Sequence, residues 1–357
     1  MKILFISDLY PVKDDEKTTP KTLLNFVKEW QKSGHKVDVI KPNFILNSFL
    51  RRKPFYKTGQ YGNVFNVNYF TPFWFDVKRK LRGFIFDYDI VIAHMPSGIL
   101  FADKLGMPFV AGVHNSDLTV LTKFVYKFHF KNRLEKALDH AKNIACRSFV
   151  IKDKLIKLFP KYKAKTFVAS SGIDKNIIAD FDENRFLHEG LRIFTCANFK
   201  KRKNIDLLIK ACKGLEGVKL VVAGDGNLRK SLEKIDRNVE FTGYLSPKEV
   251  LAKMRESDVF VLPSVGETFG MVYLEAMSQG CITVCTKNDG VDGIIKDGEN
   301  GFLVEPEISS IRDLILKIKN SDVNYLKTIE KRAFETVRYY TSEQCAENYL
   351  QQIFKIL

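Results

Sequence analysis

No stretch of this 357-residue sequence is apolar for long enough to cross a bilayer as a helix. Such a helix needs about 20 consecutive apolar residues, and the longest runs here, Ile90–Ala93 and Met107–Val113, are interrupted nearby by His94, Asp103 and Lys104. Cysteine is sparse: Cys146, Cys196, Cys212, Cys281, Cys285 and Cys345 are scattered, and none forms a Cys-x-x-Cys pair. That spacing argues against a zinc corner, and Cys281 and Cys285, four apart, fall in a predicted strand; free buried thiols are expected instead. Met1 to Ile6 reads as a core strand running directly into Ser7-Asp8 without a signal-peptide cleavage region, so a cytoplasmic protein is expected. Repeats and low-complexity tracts are missing as well. Acidic residues are scarce in one half only. Residues 1–170 hold 30 Lys and Arg against 14 Asp and Glu, and residues 171–357 hold 27 against 28. The first half therefore carries the whole positive excess, whose field favours an anionic partner: nucleic acid, an acidic membrane surface or a phosphorylated acceptor.

The composition, 45% hydrophobic, suffices for two buried cores, and the length fits two domains of about 150 to 180 residues. Short apolar runs alternate with helix-period stretches from end to end, which predicts parallel sheets wrapped by helices. In the first half strands are expected near 2–6, 36–41, 64–69, 89–93, 109–113, 143–146 and 165–168, with helices near 20–33, 73–85, 97–105, 120–141 and 149–158. In the second half strands are expected near 191–196, 218–223, 238–241, 258–262, 282–285 and 301–304. Helices are expected there near 204–213, 226–235, 247–255, 270–279, 309–319 and 323–338. The stretch from Ser170 to Gly190 has no strong period, which puts a domain boundary there and gives domains of 1–171 and 172–340. Two doubly wound domains would place the carboxyl ends of their strands, where such sheets bind ligands, across a cleft.

The most informative segment runs from the strand Val259–Leu262 through Pro263-Ser-Val-Gly-Glu267-Thr-Phe269-Gly270-Met271-Val272-Tyr-Leu-Glu275-Ala-Met277. A strand that turns through glycine into a helix leaves the first helical N–H groups free for an anion, here from Phe269, Gly270, Met271 and Val272. Glu275 lies about one turn into the helix, and its carboxylate leans back toward the same ligand. Glu267 sits in the turn before it. Amides for a phosphate and carboxylates for hydroxyl groups suit a sugar carrying phosphate.

This pattern, two glutamates seven residues apart with Phe-Gly after the first and Glu-Ala-Met at the second, resembles the signature of the retaining glycosyltransferases of family 4, which have the GT-B fold. Asp258-Val-Phe-Val-Leu-Pro-Ser264 before it, and Gly280-Cys-Ile-Thr-Val284 and Asp297-Gly-Glu-Asn-Gly-Phe-Leu-Val304 after it, extend the likeness. The resemblance implies an α/β GT-B architecture: an acceptor-binding Rossmann-like domain first, a nucleotide-sugar-binding one second, and a last helix, residues 341–357, crossing back onto the first. It also implies roles residue by residue. In Asn198-Phe-Lys-Lys-Arg-Lys203-Asn204, Lys203 matches the family's diphosphate-binding lysine, whereas Asn198 stands where the family has arginine; Lys200, Lys201 and Arg202 are possible substitutes without its bidentate geometry. Gly224-Asp-Gly226 and Gly243-Tyr244-Leu245 are expected to shape the nucleoside pocket. His114, at the carboxyl end of the strand Phe109–Val113, matches the family's histidine near the reacting sugar, and His94 is similarly placed.

Departures from the family pattern occur too. The family's Gly-Gly pair after the first strand is replaced by Asp14-Asp-Glu-Lys-Thr18-Thr19-Pro20, which serves donor or acceptor. Asp87-Tyr-Asp89 spells the metal motif of the other large glycosyltransferase fold but precedes a strand instead of ending one, so no metal is expected. Aromatics interleaved with cations over 44–57, 71–86 and 123–131 fit either an anionic lipid surface or core helices with a basic outer face. The resulting expectation is a metal-independent glycosyltransferase with Glu267, His114 and Lys203 at the chemistry. It would move a hexose from a UDP- or GDP-sugar, a substrate and not a cofactor, to a glycan acceptor, lipid-linked for preference. A phosphorylase or epimerase on the same fold and a silent basic binding module are the alternatives.

Overall fold

The computed structural model describes residues 1–13, 16, 21–44, 55–69, 81, 84, 86–126 and 130–355. The expected helix at 73–85, the Thr18-Thr19 loop, Lys127, Phe128 and most of the aromatic-basic stretches over 44–57 and 71–86 lie outside those residues. The chain divides into two compact units, residues 1–171 with 342–357 and residues 172–341.

The first unit is built on an eight-stranded sheet of β1 (Lys2–Ser7), β2 (Lys36–Phe44), β3 (Gly59–Tyr61), β4 (Val64–Tyr69), β5 (Ile90–His94), β6 (Phe109–Val113), β7 (Asn143–Cys146) and β8 (Thr166–Val168), in the order β3-β4-β2-β1-β5-β6-β7-β8. All its pairings are parallel except β3 with β4. β5 and β6 are buried at every position because helices cover both faces, which is why they read as continuous apolar runs. Among the helices are α1 (Thr22–Lys32), α2 (Met95–Leu105), α3 (Asn115–Thr122), α4 (Asn132–His140) and α5 (Phe149–Leu158).

The second unit holds a six-stranded parallel sheet of β9 (Leu191–Cys196), β10 (Val218–Ala223), β11 (Glu240–Gly243), β12 (Val259–Leu262), β13 (Ile282–Thr286) and β14 (Phe302–Val304), in the order β11-β10-β9-β12-β13-β14. Its helices are α6 (Ile205–Cys212), α7 (Arg229–Glu233), α8 (Pro247–Arg255), α9 (Met271–Ser278), α10 (Ile308–Lys319) and α11 (Val323–Tyr339). The last helix, α12 (Ser342–Phe354), belongs to the first unit, where it packs on α1. Strand order reverses between β9 and β12, so the crevice at their carboxyl ends is the topological switch point where such sheets bind ligands.

Two expectations are corrected, and one strand is added. The helix expected over 120–141 is two helices, α3 and α4, with a short 3-10 turn at Phe124–Tyr126. Asp117 accepts the His114 N–H at 2.7 Å and starts α3 early, and Lys123 takes an extended conformation that ends it. The helix expected over 226–235 shrinks to Arg229–Glu233, because Gly226 has a φ of 154°, open to glycine alone. Strand β3, three residues joined to β4 by a tight turn at Gly62-Asn63, is too short to give a periodic signal. No helix among the described residues is long and apolar enough to span a membrane.

Candidate functional site

The site in the second unit is assembled from the loops that leave β9, β10, β11 and β12. After β9, Lys201–Lys203 form one 3-10 turn, and Asn204 takes the left-handed conformation (φ 51°) that starts α6. Asparagine tolerates that conformation well. Its Nδ2 donates to the Pro263 carbonyl at 2.8 Å, and the Val265 N–H donates to the Arg202 carbonyl at 2.8 Å. These two bonds tie the β9 loop to the β12 loop.

Glu267 sits on that seam. Its Oε1 accepts from Lys203 Nζ at 2.5 Å, Arg202 Nη1 at 2.8 Å and Ser264 Oγ at 3.0 Å. Its backbone N–H donates to Asp289 Oδ2 at 3.2 Å. Burial alone would raise the Glu267 carboxyl, but Lys203, Arg202 and Ser264 together hold it below the ordinary range, so it is ionised. Ser264 Oγ lies 3.0 Å from the hydroxyl of the buried Tyr273, which donates to the Leu262 carbonyl at 2.8 Å.

Two residues beyond Glu267, Phe269 is buried and Gly270 (φ 94°) caps α9. A Cβ on Gly270 would stand 2.6 Å from the Tyr273 ring, so the turn requires glycine twice over. The amides of Met271 and Val272 open the helix and have no intrahelical acceptor. Glu275, one turn in, is half-buried with no side-chain partner among the described residues, and burial raises its carboxyl. It lies close enough to Cys196, at the end of β9, to help push that thiol up to about 12, an effect that burial dominates and Lys203 opposes. Glu275, Lys203 and Cys196 thus share one neighbourhood.

Beside them a pocket of about 330 Å³ is lined by Cys196, Asn198, Gly224, Tyr244, Leu245 and Val250, among others. Gly224 permits it: a Cβ there would fall 1.9 Å from the Ala197 carbonyl oxygen. Tyr244 is 80% exposed, an aromatic ring left open at the pocket rim. Asn198, Gly224, Tyr244 and Leu245 are therefore brought together, as are Lys203 and Glu267. The contacts of Ser264 and Asp289, and the choice of Arg202 among the candidate cations, escaped sequence reasoning. Arg202 was visible as one of four successive cations, whereas Asp289, 22 residues past Glu267, gave only a turn signal before Gly290.

His114 belongs to the first unit, at the carboxyl end of β6 and the start of α3. It is buried, with Nε2 3.0 Å from Nδ1 of His94, and burial reinforced by Arg147 holds its imidazole well below the usual histidine range. Asp87 and Asp89 stand before β5, Asp87 paired with Lys2 and Asp89 accepting the Lys2 N–H at 2.7 Å. Among the described residues no group of three His, Cys, Asp or Glu is placed to hold a metal ion.

Two family models match in tandem: the one described as Glycosyltransferase Family 4 over residues 20–176 and the one described as Glycosyl transferases group 1 over residues 176–336. The chain belongs to glycosyltransferase family 4. Among its relatives, an uncharacterized glycosyltransferase of Methanocaldococcus jannaschii is 29% identical over 70% of this chain and 68% of its own length. An alpha-monoglucosyldiacylglycerol synthase of Streptococcus pneumoniae is 24% identical over 98% of this chain and 85% of that protein. Among solved structures, Anabaena Alr3699/HepE in complex with UDP-glucose superposes with a TM-score of 0.68 at 18% identity, covering 99% of this chain and 100% of that one. The fold of this glycosyltransferase is GT-B, an α/β architecture of two Rossmann-like sheets.

Proposed function

We propose that the protein transfers a hexose from a nucleoside-diphosphate sugar, UDP- or GDP-linked, to a hydroxyl of a lipid-linked glycan, with retention at the anomeric carbon. The observation that carries the reading is the Glu267–Lys203 pair at the β9/β12 switch point, next to the free amides of α9 and a pocket sized for a nucleoside. Tyr244, Leu245 and Val250 receive the base, and Glu275, half-buried and without a side-chain partner among the described residues, accepts from the ribose hydroxyls. Lys203, Arg202 and the Met271 and Val272 amides hold the diphosphate. Arg202 supplies the positive charge that Asn198 cannot, from four residues further along the same loop. Glu267, kept ionised, accepts hydrogen bonds from the sugar.

The acceptor hydroxyl replaces the diphosphate on the anomeric carbon, releasing the nucleoside diphosphate and a proton. Negative charge accumulates on the departing diphosphate, so the cations and helix amides already aimed at it lower the barrier without any metal. By the family pattern, His114 orients acceptor and donor. Retention and the involvement of His114 rest on the family pattern. The lipid-linked acceptor is supported by the basic first domain, which takes the acceptor while the second takes the donor, and by the lipid acceptor in the name of the Streptococcus pneumoniae relative. The enzyme would work at the cytoplasmic face of the membrane.

A panel of UDP- and GDP-hexoses tests the donor site by thermal shift, because a ligand bound only to the native state raises the melting temperature. Lys203→Ala and Glu267→Ala are expected to lose turnover by about a hundredfold or more, the usual cost of removing a charge-stabilising group, while circular dichroism shows the fold intact. Full turnover in both variants would refute the assignment.

A further inference from the structure

At the carboxyl ends of β5 and β6 lies a buried polar line of which the reading above uses only His114. His94 closes β5 and pairs in register with Gly112 of β6. Its Nδ1 is 3.0 Å from Nε2 of His114, and its Nε2 is 3.0 Å from the hydroxyl of Tyr349 on α12. Exposure of the three residues is 0%, 7% and 1%. Several independent features hold this geometry. A Cβ on Gly112 would stand 2.2 Å from His94 Nδ1, so only glycine leaves room for the ring. Met95, directly after His94, has a φ of 70°, a strained conformation for a residue with a side chain. Phe5 packs on the His94 ring at 5.3 Å, and Tyr349 meets Phe26 and Trp30 edge-on. Trp30 Nε1 donates to the Ala346 carbonyl at 2.9 Å, which anchors α12 one turn before Tyr349.

We propose that Tyr349 and His94 are positioning residues that fix which ring nitrogen of His114 carries its proton and how that ring meets the substrate. The proposal rests on the reading of His114 as a substrate-facing residue. Both imidazoles are kept neutral, chiefly by burial and further by the Arg147 guanidinium. A neutral imidazole has one N–H and one lone pair, so protons along two linked rings run in a single direction. If His94 Nδ1–H donates to His114, the tyrosine hydroxyl donates to His94 Nε2. If His114 donates instead, His94 donates on to the tyrosine oxygen. Either way the tautomer of His114 is coupled, through His94, to a hydroxyl that lies 255 positions beyond His94 in the sequence. The charged and titratable groups around the line include Arg147, packed on Phe26, Asp117, which accepts the His114 backbone N–H, and the buried Cys146 thiol near Tyr349. None of them lies in the line itself.

The test is carried out on the full chain with 15N-labelled histidine, comparing wild type with Tyr349→Phe, His94→Gln and His114→Ala. Turnover is followed with the best donor of the UDP- and GDP-hexose panel. Expected in Tyr349→Phe are ring 15N shifts of His114 displaced from their wild-type tautomer and kcat reduced by about tenfold, the lower end of the loss seen when a functional histidine is deprived of its outer hydrogen-bond partner. The donor KM should stay within about twofold, because donor contacts lie in the other unit. His94→Gln, which breaks the line at its centre, is expected to move the same resonances. Unchanged His114 shifts in both variants, with turnover lost only in His114→Ala, would overturn the line while leaving His114 at the site. Full turnover in His114→Ala would instead remove the substrate-facing reading on which the proposal stands.

Discussion

Glu267 and Tyr244 show two ways in which a residue can be poised for a ligand. Glu267 is half-buried with one oxygen saturated: Lys203, Arg202 and Ser264 share Oε1, and the cations hold the carboxylate charged against the cost of its burial. An arriving diphosphate competes for those cations without having to gather them. Tyr244, by contrast, has an exposed ring and contributes little to stability where it stands. Its Ala variant should keep the wild-type melting temperature yet raise the Kd for UDP or GDP by about tenfold, since stacking a base on an aromatic ring stabilises by about 1–3 kcal/mol. Isothermal titration calorimetry checks this, and an unchanged Kd would place the base elsewhere.

The turn from β12 into α9 works because backbone conformation and side-chain packing make the same demand. Gly270 has a φ of 94° and no space for a Cβ beside Tyr273, whose hydroxyl fixes both Ser264 and the end of β12. Gly270→Ala should therefore destabilise the protein by about 1–3 kcal/mol, the range for overpacking, together with the strain of a left-handed alanine. It should also weaken donor binding by moving the helix amides. Chemical denaturation would show this as a lower midpoint, and wild-type stability would mean that the turn can relax. On the far side of α9, Arg185 is buried and paired with Glu330 of α11 at 3.1 Å. Glu330→Ala strands that guanidinium in the interior and should cost about 3–5 kcal/mol, whereas a loss below 1 kcal/mol would show that the neighbouring carbonyls suffice.

Each of the two units of the whole molecule has its own core and its own charge, which gives each a separate response to conditions. In the first, His94 and His114 are held neutral by burial, below the value of about 6.5 that they regain on unfolding. The unfolded chain therefore binds more protons below that value. Stability from this pair is complete above about pH 6.5 and is lost as the pH falls toward the lower folded values. Melting temperatures measured from pH 7.5 to 5 should fall more steeply for the wild type than for His94→Gln; parallel curves would show that the histidines do not drive the loss. The first unit also exposes Phe124 and Val125, 73% and 74% accessible, beside Lys123. Cosedimentation with phosphatidylserine vesicles should exceed that with phosphatidylcholine and diminish with salt, as expected when cations meet anionic headgroups.

The parallel strands were legible to within about three residues because sheets covered on both faces demand unbroken apolar runs, as in Val259–Leu262 and Phe109–Val113. The glycine turn before a helix, with Glu267 and Glu275 around it, was equally plain, since it depends only on neighbours in the chain. What local pattern could not supply were the partners. That Arg202 and not Lys200 reaches Glu267, that Asp289 holds its amide, and that a tyrosine in the last helix lies in line with two histidines all follow from strand order and helix placement. Periodicity determined the sheets, and the motif around Glu267 and Glu275 carried the resemblance to the family and picked out the carboxylates. Only the tertiary structure decided which charges meet, because a contact between residues 64 or 255 positions apart leaves no trace in the period of either segment.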